Sequence, residues 1–220
     1  MREIVLDTET TGRNPLDGDR IVELGCVELV NHIPTGNVFQ RYLDPGRDSE
    51  PGALAVHGLT REFLAKFPPF ESVADEFLAF IGDSPLVIHN AEFDLGFVNA
   101  ELVRLDLPIL PSERAIDTLR IARRKFPGAP ASLNDLCRRF SVDLSKRSLH
   151  GALLDAELLA AVYLELIGGR QQGMTLEIAG GLVIETVRVL RAPRPHAPSE
   201  AELAAHAAFV AQIPDALWRQ

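Results

Sequence analysis

Residues 3–12 read Glu-Ile-Val-Leu-Asp-Thr-Glu-Thr-Thr-Gly, and the fold turns on how this stretch is read. The apolar run Ile4-Val5-Leu6 is too short for a free-standing helix and reads as a buried strand over 3–8, closed by the turn signal Thr11-Gly12. On a strand, residues two apart face the same side, so Asp7 and Glu9 project together at its end. Burying an acid behind an apolar run is costly without a partner. Oxygen ligands of high charge suit hard divalent cations such as Mg²⁺ or Mn²⁺. A pair of solvated acids at a strand end is the plainer reading of this motif taken alone.

Outward from this strand, residues 20–30 read as a second strand and Val38–Leu43 as a third. Together they form an antiparallel meander with turns near Asn31–Gly36. Short helices follow Pro51. A helix is expected over Phe70–Ile81, with Val73, Phe77, Leu78 and Ile81 on one face, and Pro85–His89 is a short buried strand. Glu92–Leu105 is helical, with Phe93, Phe97, Ala100 and Val103 or Arg104 at core-like spacing. Helices over 117–125 and 132–140 precede a last one over about 152–167, stopped by Gly168-Gly169. Strands, helix, strand and further helices imply an α/β domain with a mixed sheet.

The chain has 220 residues, 46% hydrophobic and 24% charged, enough apolar material for a sizeable core. No run of 18 apolar residues is present, which excludes a helical membrane span. The N-terminal stretch shows no apolar signal segment, and Cys26 and Cys137 are the sole cysteines, so a reducing cytoplasm is expected. The net charge of −9 argues against a free nucleic-acid binder. Residues 114–147 run the other way, with nine basic residues against three acids.

Two further motifs carry chemistry. In His89-Asn90-Ala91-Glu92-Phe93-Asp94, Asp94 falls in the first turn of a helix that follows a strand, a junction where α/β sheets bind ligands; acids also suit a helix start for its dipole alone. In His150-Gly151-Ala152-Leu153-Leu154-Asp155-Ala156, Asp155 sits on an otherwise apolar helix and needs a partner. Gly151 lets His150 swing over it.

Taken together, the segments Val5–Gly12, Val56-His57-Gly58, Val87–Asn90 with Phe93-Asp94, and Ser145–Ala156 resemble the DEDDh 3′–5′ exonucleases. Within that family they are most similar to proofreading (epsilon) subunits of bacterial DNA polymerase III. The resemblance covers the chain to Gly169 almost continuously and returns in Ala204-Ala205-His206 and Leu217-Trp218-Arg219. It implies a ribonuclease-H-like, mixed five-stranded sheet flanked by helices, with a C-terminal extension. It also implies two divalent cations, Mg²⁺ or Mn²⁺, held by Asp7, Glu9, Asp94 and Asp155, with His150 as the base that activates water. Catalysis would fall to these four acids and His150. Asp7, Glu9, His57, Asn90, Phe93 and Asp155 would contact a single-stranded or frayed DNA 3′ end, releasing nucleoside 5′-monophosphates. Close relatives carry Glu where this chain has Gly52, so that contact is not transferred.

The expected organisation is an exonuclease domain over 1–169, a linker over 170–198 and a C-terminal helix over 199–220. The peptide 171–176 resembles a sliding-clamp-binding segment through Gln171, Met174 and Leu176. Ser199 to Glu202 forms a capping box that opens an Ala-rich helix. Beyond a Pro-rich stretch, Leu217 and Trp218 would anchor the polymerase catalytic (alpha) subunit; packing on the chain's own domain is the alternative. Two other functions stay open here: a free-standing exonuclease acting on RNA or short oligonucleotides, and a catalytically silent binding subunit.

Overall fold

The computed structural model describes residues 1–145, 149–168 and 197–213. The chain divides into two compact units, Met1–Met174 and Thr175–Gln220. The first unit is built on a sheet of β1 (Arg2–Thr10), β2 (Ile21–Val30), β3 (Ile33–Tyr42), β4 (Leu86–Ile88) and β5 (Ala115–Asp117). The strand order is β3-β2-β1-β4-β5. β1 to β3 pair antiparallel, while β4 runs parallel to β1 and β5 parallel to β4. The sheet is therefore mixed and five-stranded, as expected.

Alternation along β1 gives the sheet two cores. Ile4 and Leu6 pack with Phe77, Val98 and Leu102 on one face. Val5 packs with Leu136, Leu159 and Val162 on the other. The first face is covered by α3 (Ala74–Ile81) and α4 (Ala91–Arg104), the second by α5 (Thr118–Lys125), α6 (Leu133–Arg139) and α7 (Ala152–Leu166). Short helices α1 (Pro51–His57) and α2 (Arg61–Leu64) lie between β3 and α3 in the chain.

Several elements differ from the sequence reading, each for a physical reason. The first turn is tight, at Asn31 and His32, both with positive φ (51° and 68°), as a two-residue hairpin requires. Gly36 instead falls inside β3, which begins at Ile33. His32 Nδ1 lies 2.7 Å from the buried Glu3, which also accepts the Tyr163 hydroxyl at 2.8 Å. The expected helix over 70–81 is a single 3-10 turn at Phe70–Ser72 followed by α3. β5, only three residues long, carries too little periodicity to be read as a strand.

The buried stripe of α4 is Ala91, Asp94, Leu95, Val98, Glu101 and Leu102, with Phe97 alongside. Val103, expected inward, is 60% exposed, and Arg104 pairs with Glu101 at 3.2 Å. The true stripe includes two acids, Asp94 and Glu101. Both are buried because each has a partner: Thr8 for Asp94, and Arg20 for Glu101 at 2.6 and 2.8 Å.

In the second unit, α8 (Glu200–Ala211) opens with the expected capping box, Ser199 and Glu202 bonding reciprocally. Leu203 and Phe209 are exposed and Val210 is buried. Gln171, Met174, Leu176, Leu217 and Trp218 lie outside the described residues. None of the helices in the described part of the chain is long and apolar enough to cross a membrane.

Candidate active site

The site begins at the C-terminal end of β1. Asp7 and Glu9 share the face of Val5, toward α7. Opposite them on β2 stand Gly25 and Glu23. A Cβ on Gly25 would lie 2.2 Å from the Ala152 carbonyl carbon and 2.3 Å from Leu153 N. Glycine at this position is what lets the first turn of α7 lie directly on the sheet. Glu23, almost fully buried, accepts the Ala152 N–H at 3.1 Å and the Gln40 amide at 2.7 Å. Burial pushes the Glu23 carboxyl upward, and these donors partly offset the shift. Glu23 thus serves as the acceptor that satisfies the first N–H of α7.

Docked this way, α7 brings Asp155 to the sheet. Ligand-type atoms of Glu9, His150 and Asp155 all lie within 4.8 Å of one another. His150 Nδ1 is 3.3 Å from Asp155 Oδ2, with 43% of the imidazole side chain exposed against 5% of the aspartate. The backbone before α7 is tied to α1: His150 N–H donates to the Val56 carbonyl at 3.2 Å. Gly58 (φ +70°) leaves room for Leu149, whose Cδ1 would be 2.7 Å from a Cβ there. Val56-His57-Gly58 therefore acts first as the seat of the His150 segment.

Asp94 reaches the sheet from the other face. Its Oδ1 accepts both the Thr8 backbone N–H (3.0 Å) and the Thr8 hydroxyl (2.7 Å). Burial pushes its carboxyl up to about 7, opposed by the Thr8 hydrogen bonds. Asp7 and Asp94 stand outside the Glu9–His150–Asp155 trio. Thr8 joins the two halves of the site; the sequence signal for it was a lone Thr between two acids on a strand. Glu23 was missed as well, since its place opposite Glu9 follows from the strand register and not from its own sequence context.

Beside Glu9 opens a cavity of about 450 Å³, lined by Thr10, Arg13, Glu50, His57 and Phe93 among others. His57 Nδ1 accepts the Leu59 N–H at 2.9 Å, and desolvation holds its imidazole below the usual histidine value. The ring is therefore neutral, with its proton on Nε2. Phe93 has two surroundings: it lines the cavity, and its ring lies 5.0 Å from that of Phe97, tilted by 50°, at the core's edge. Asn90 has φ of 71° with no side-chain cap, and its N–H bonds Asp117 at 3.3 Å. Its clearest role is in the turn. The donor set, two buried carboxylates and an imidazole with further acids on the same strand, suits a hard divalent cation.

The exonuclease family model (RNase T) matches residues 4–163. A DNA polymerase III subunit epsilon of Rickettsia prowazekii is 46% identical over 222 residues, covering 97% of each chain. The subunit of the same name from Escherichia coli K12 is 45% identical over 221 residues, covering 94% of this chain and 91% of that one. Among solved structures, exonuclease X in complex with 5′-overhanging duplex DNA has a TM-score of 0.59 and 28% identity, covering 74% of this chain and 90% of that one. The nuclease domain of 3′hExo, a DEDDh family member bound to rAMP, has a TM-score of 0.64 at 19% identity, covers 78% of this chain and 94% of that one, and shares the fold.

Proposed function

This chain belongs to the exonuclease family and, within it, to the epsilon subunits of DNA polymerase III, and on that premise we propose that it trims DNA 3′ ends for a replicative polymerase. The reaction is hydrolysis of the terminal phosphodiester, releasing a nucleoside 5′-monophosphate. The observation that carries this reading is the convergence of Glu9, His150 and Asp155 at the end of β1, with Asp94 fastened to Thr8 beside them.

Asp7, Glu9, Asp94 and Asp155 would hold two divalent cations, Mg²⁺ or Mn²⁺. When bound, such ions neutralise the acids and stabilise charge on the attacking and leaving oxygens. His150 takes the proton of the attacking water. Its half-exposed imidazole can pass that proton to solvent, and Asp155 orients the ring through Nδ1. Neutral His57 and the Phe93 face receive the terminal nucleotide without base-edge readout, as removal of any mismatch requires. Asn90 adds a contact at the turn.

The test measures nucleotide release from matched, mispaired and RNA 3′ ends with and without Mg²⁺ or Mn²⁺. Metal-dependent release from DNA, fastest at mispairs and lost in Asp7→Ala, is expected. Preference for RNA ends, or release without metal, would overturn the reading.

For partners, we propose that the polymerase catalytic (alpha) subunit takes the C-terminal unit through Leu217 and Trp218, and that Gln171, Met174 and Leu176 engage a sliding clamp. The support is the relatives' naming as polymerase subunits and the exposed Leu203 and Phe209 on α8. Deleting 199–220 should abolish polymerase binding and spare release from free single strands. Retained binding by the truncated chain would sink the docking idea.

A further inference from the structure

The cavity beside Glu9 holds one feature that the acids, His150 and His57 do not explain. Arg13 is its sole lysine or arginine lining residue, in company with Glu9 and Glu50. Neighbouring arginines are spent on structure. Arg20 grips Glu101 with two bonds of 2.6 and 2.8 Å, Arg47 lies 3.4 Å from Asp19, and Arg61 pairs with Asp44. Arg13 makes no ion pair among the described residues, and it is exposed.

The backbone that carries it is pinned on both sides. Thr11 N–H donates to the Arg20 carbonyl at 2.8 Å. The buried Asp19 accepts the Thr11 hydroxyl at 3.0 Å and the Asn14 N–H at 3.1 Å. Gly12 has no Cβ to spare: one would sit 2.2 Å from Asp19 Oδ2. An arginine on so rigid a turn, uncommitted beside an acid-lined cavity, is placed for an anion that arrives with the substrate.

Resting on the exonuclease reading above, we propose that Arg13 is a substrate-positioning residue that grips a backbone phosphate of the DNA strand other than the scissile one. The cavity takes the terminal nucleotide, and the chain of phosphates leading away from it is what a guanidinium at the rim can reach. Arg13 would thereby set how firmly a strand, as opposed to a lone nucleotide, is held.

The experiment compares a trinucleotide with p-nitrophenyl thymidine 5′-monophosphate, which carries the reacting phosphate alone. In Arg13→Ala, KM for the trinucleotide should rise about fivefold with kcat changed less than about twofold, the scale of one partly exposed charged contact. KM for the ester should move far less. The slope of log(kcat/KM) against log[salt] should flatten by about 0.7, the contribution of one single-strand phosphate contact. Arg13→Lys should recover part of the loss and Arg13→Glu deepen it. Equal changes on both substrates, or no change on either, would overturn the proposal. The wild-type enzyme is assayed alongside; inert wild type would instead count against the exonuclease reading.

Discussion

Thr8 stands between Asp7 and Glu9 in the chain but faces the opposite side of the sheet, where it binds Asp94 twice. That one residue makes β1 the common support of acids arriving from both layers. The cost shows in Asp94, whose native carboxyl titrates near 7 against 3.8 for the free side chain. The native state therefore keeps this proton longer than the unfolded chain. By linkage, metal-free stability falls as pH climbs from about 4 to about 7 and levels off above. Asp94→Asn keeps an acceptor for Thr8 and removes the charge. It should flatten that pH slope and raise the metal-free melting temperature at pH 8 by about 3 °C or more, while abolishing nucleotide release. A thermal melt series from pH 4 to 9 checks this, and an unchanged slope would count against burial as the cause. At this scale the sequence was informative through combination: each motif alone had a plainer reading, and it was the three together, and the family they resemble, that singled out Asp7, Glu9, Asp94, His150 and Asp155. Thr8, Glu23 and Arg13 did not stand out, because a threonine on a strand, an acid in a hairpin and a surface arginine are each ordinary until their neighbours are known.

Among elements, α7 decides the site. Its approach depends on Gly25, where a side chain would strike the α7 backbone at 2.2–2.4 Å, and on Glu23, which satisfies its first N–H. Gly25→Ala must push the helix outward or bend β2. We expect about 2–3 kcal/mol of lost stability, in the range of overpacking, and at least a tenfold fall in kcat as Asp155 leaves Glu9. Wild-type kcat in a folded Gly25→Ala protein would show that the close approach is not needed. Sequence reading recovered most elements here but not all their faces. On α4 the buried stripe contains Glu101 as well as Asp94, and a hydrophobic pattern cannot anticipate an acid that is buried because Arg20 awaits it. β5 escaped for lack of length, and the turn expected near Asn31–Gly36 proved to occupy only Asn31-His32, so that β3 starts earlier than Val38.

For the whole molecule, charge is the organising quantity. The net −9 coexists with a basic surplus over 114–147, but part of that surplus is structural. Arg114 binds the carbonyls of Ile81, Gly82 and Ser84, and Lys125 binds those of Glu165 and Leu166 at the end of α7. Arg139 lies over the Phe126 ring at 4.4 Å. These side chains hold elements together and are not free to grip DNA. A weakly binding enzyme gains most from being tethered beside its substrate, which agrees with the proposed polymerase subunit. The clustered acids should also make the fold respond to metal. At about 100 times its Kd, Mg²⁺ adds about 2.7 kcal/mol, roughly 5–10 °C at this chain length. Calorimetry with Mg²⁺ should show that rise in wild type and its absence in Glu9→Gln. A melting temperature indifferent to Mg²⁺ would remove the coupling of metal to stability.

The attachment of Asp94 to Thr8 on one face, and of α7 to Gly25 on the other, has a consequence for how much of the chain the site requires. The five residues assigned to chemistry are Asp7 and Glu9 on β1, Asp94 on α4, Asp155 on α7 and His150 just ahead of α7, so both layers covering the sheet contribute to them. A fragment that ends ahead of His150 lacks both that histidine and Asp155, so the chemistry assigned to this site asks for the whole first unit and not merely for the strand that carries its first two acids.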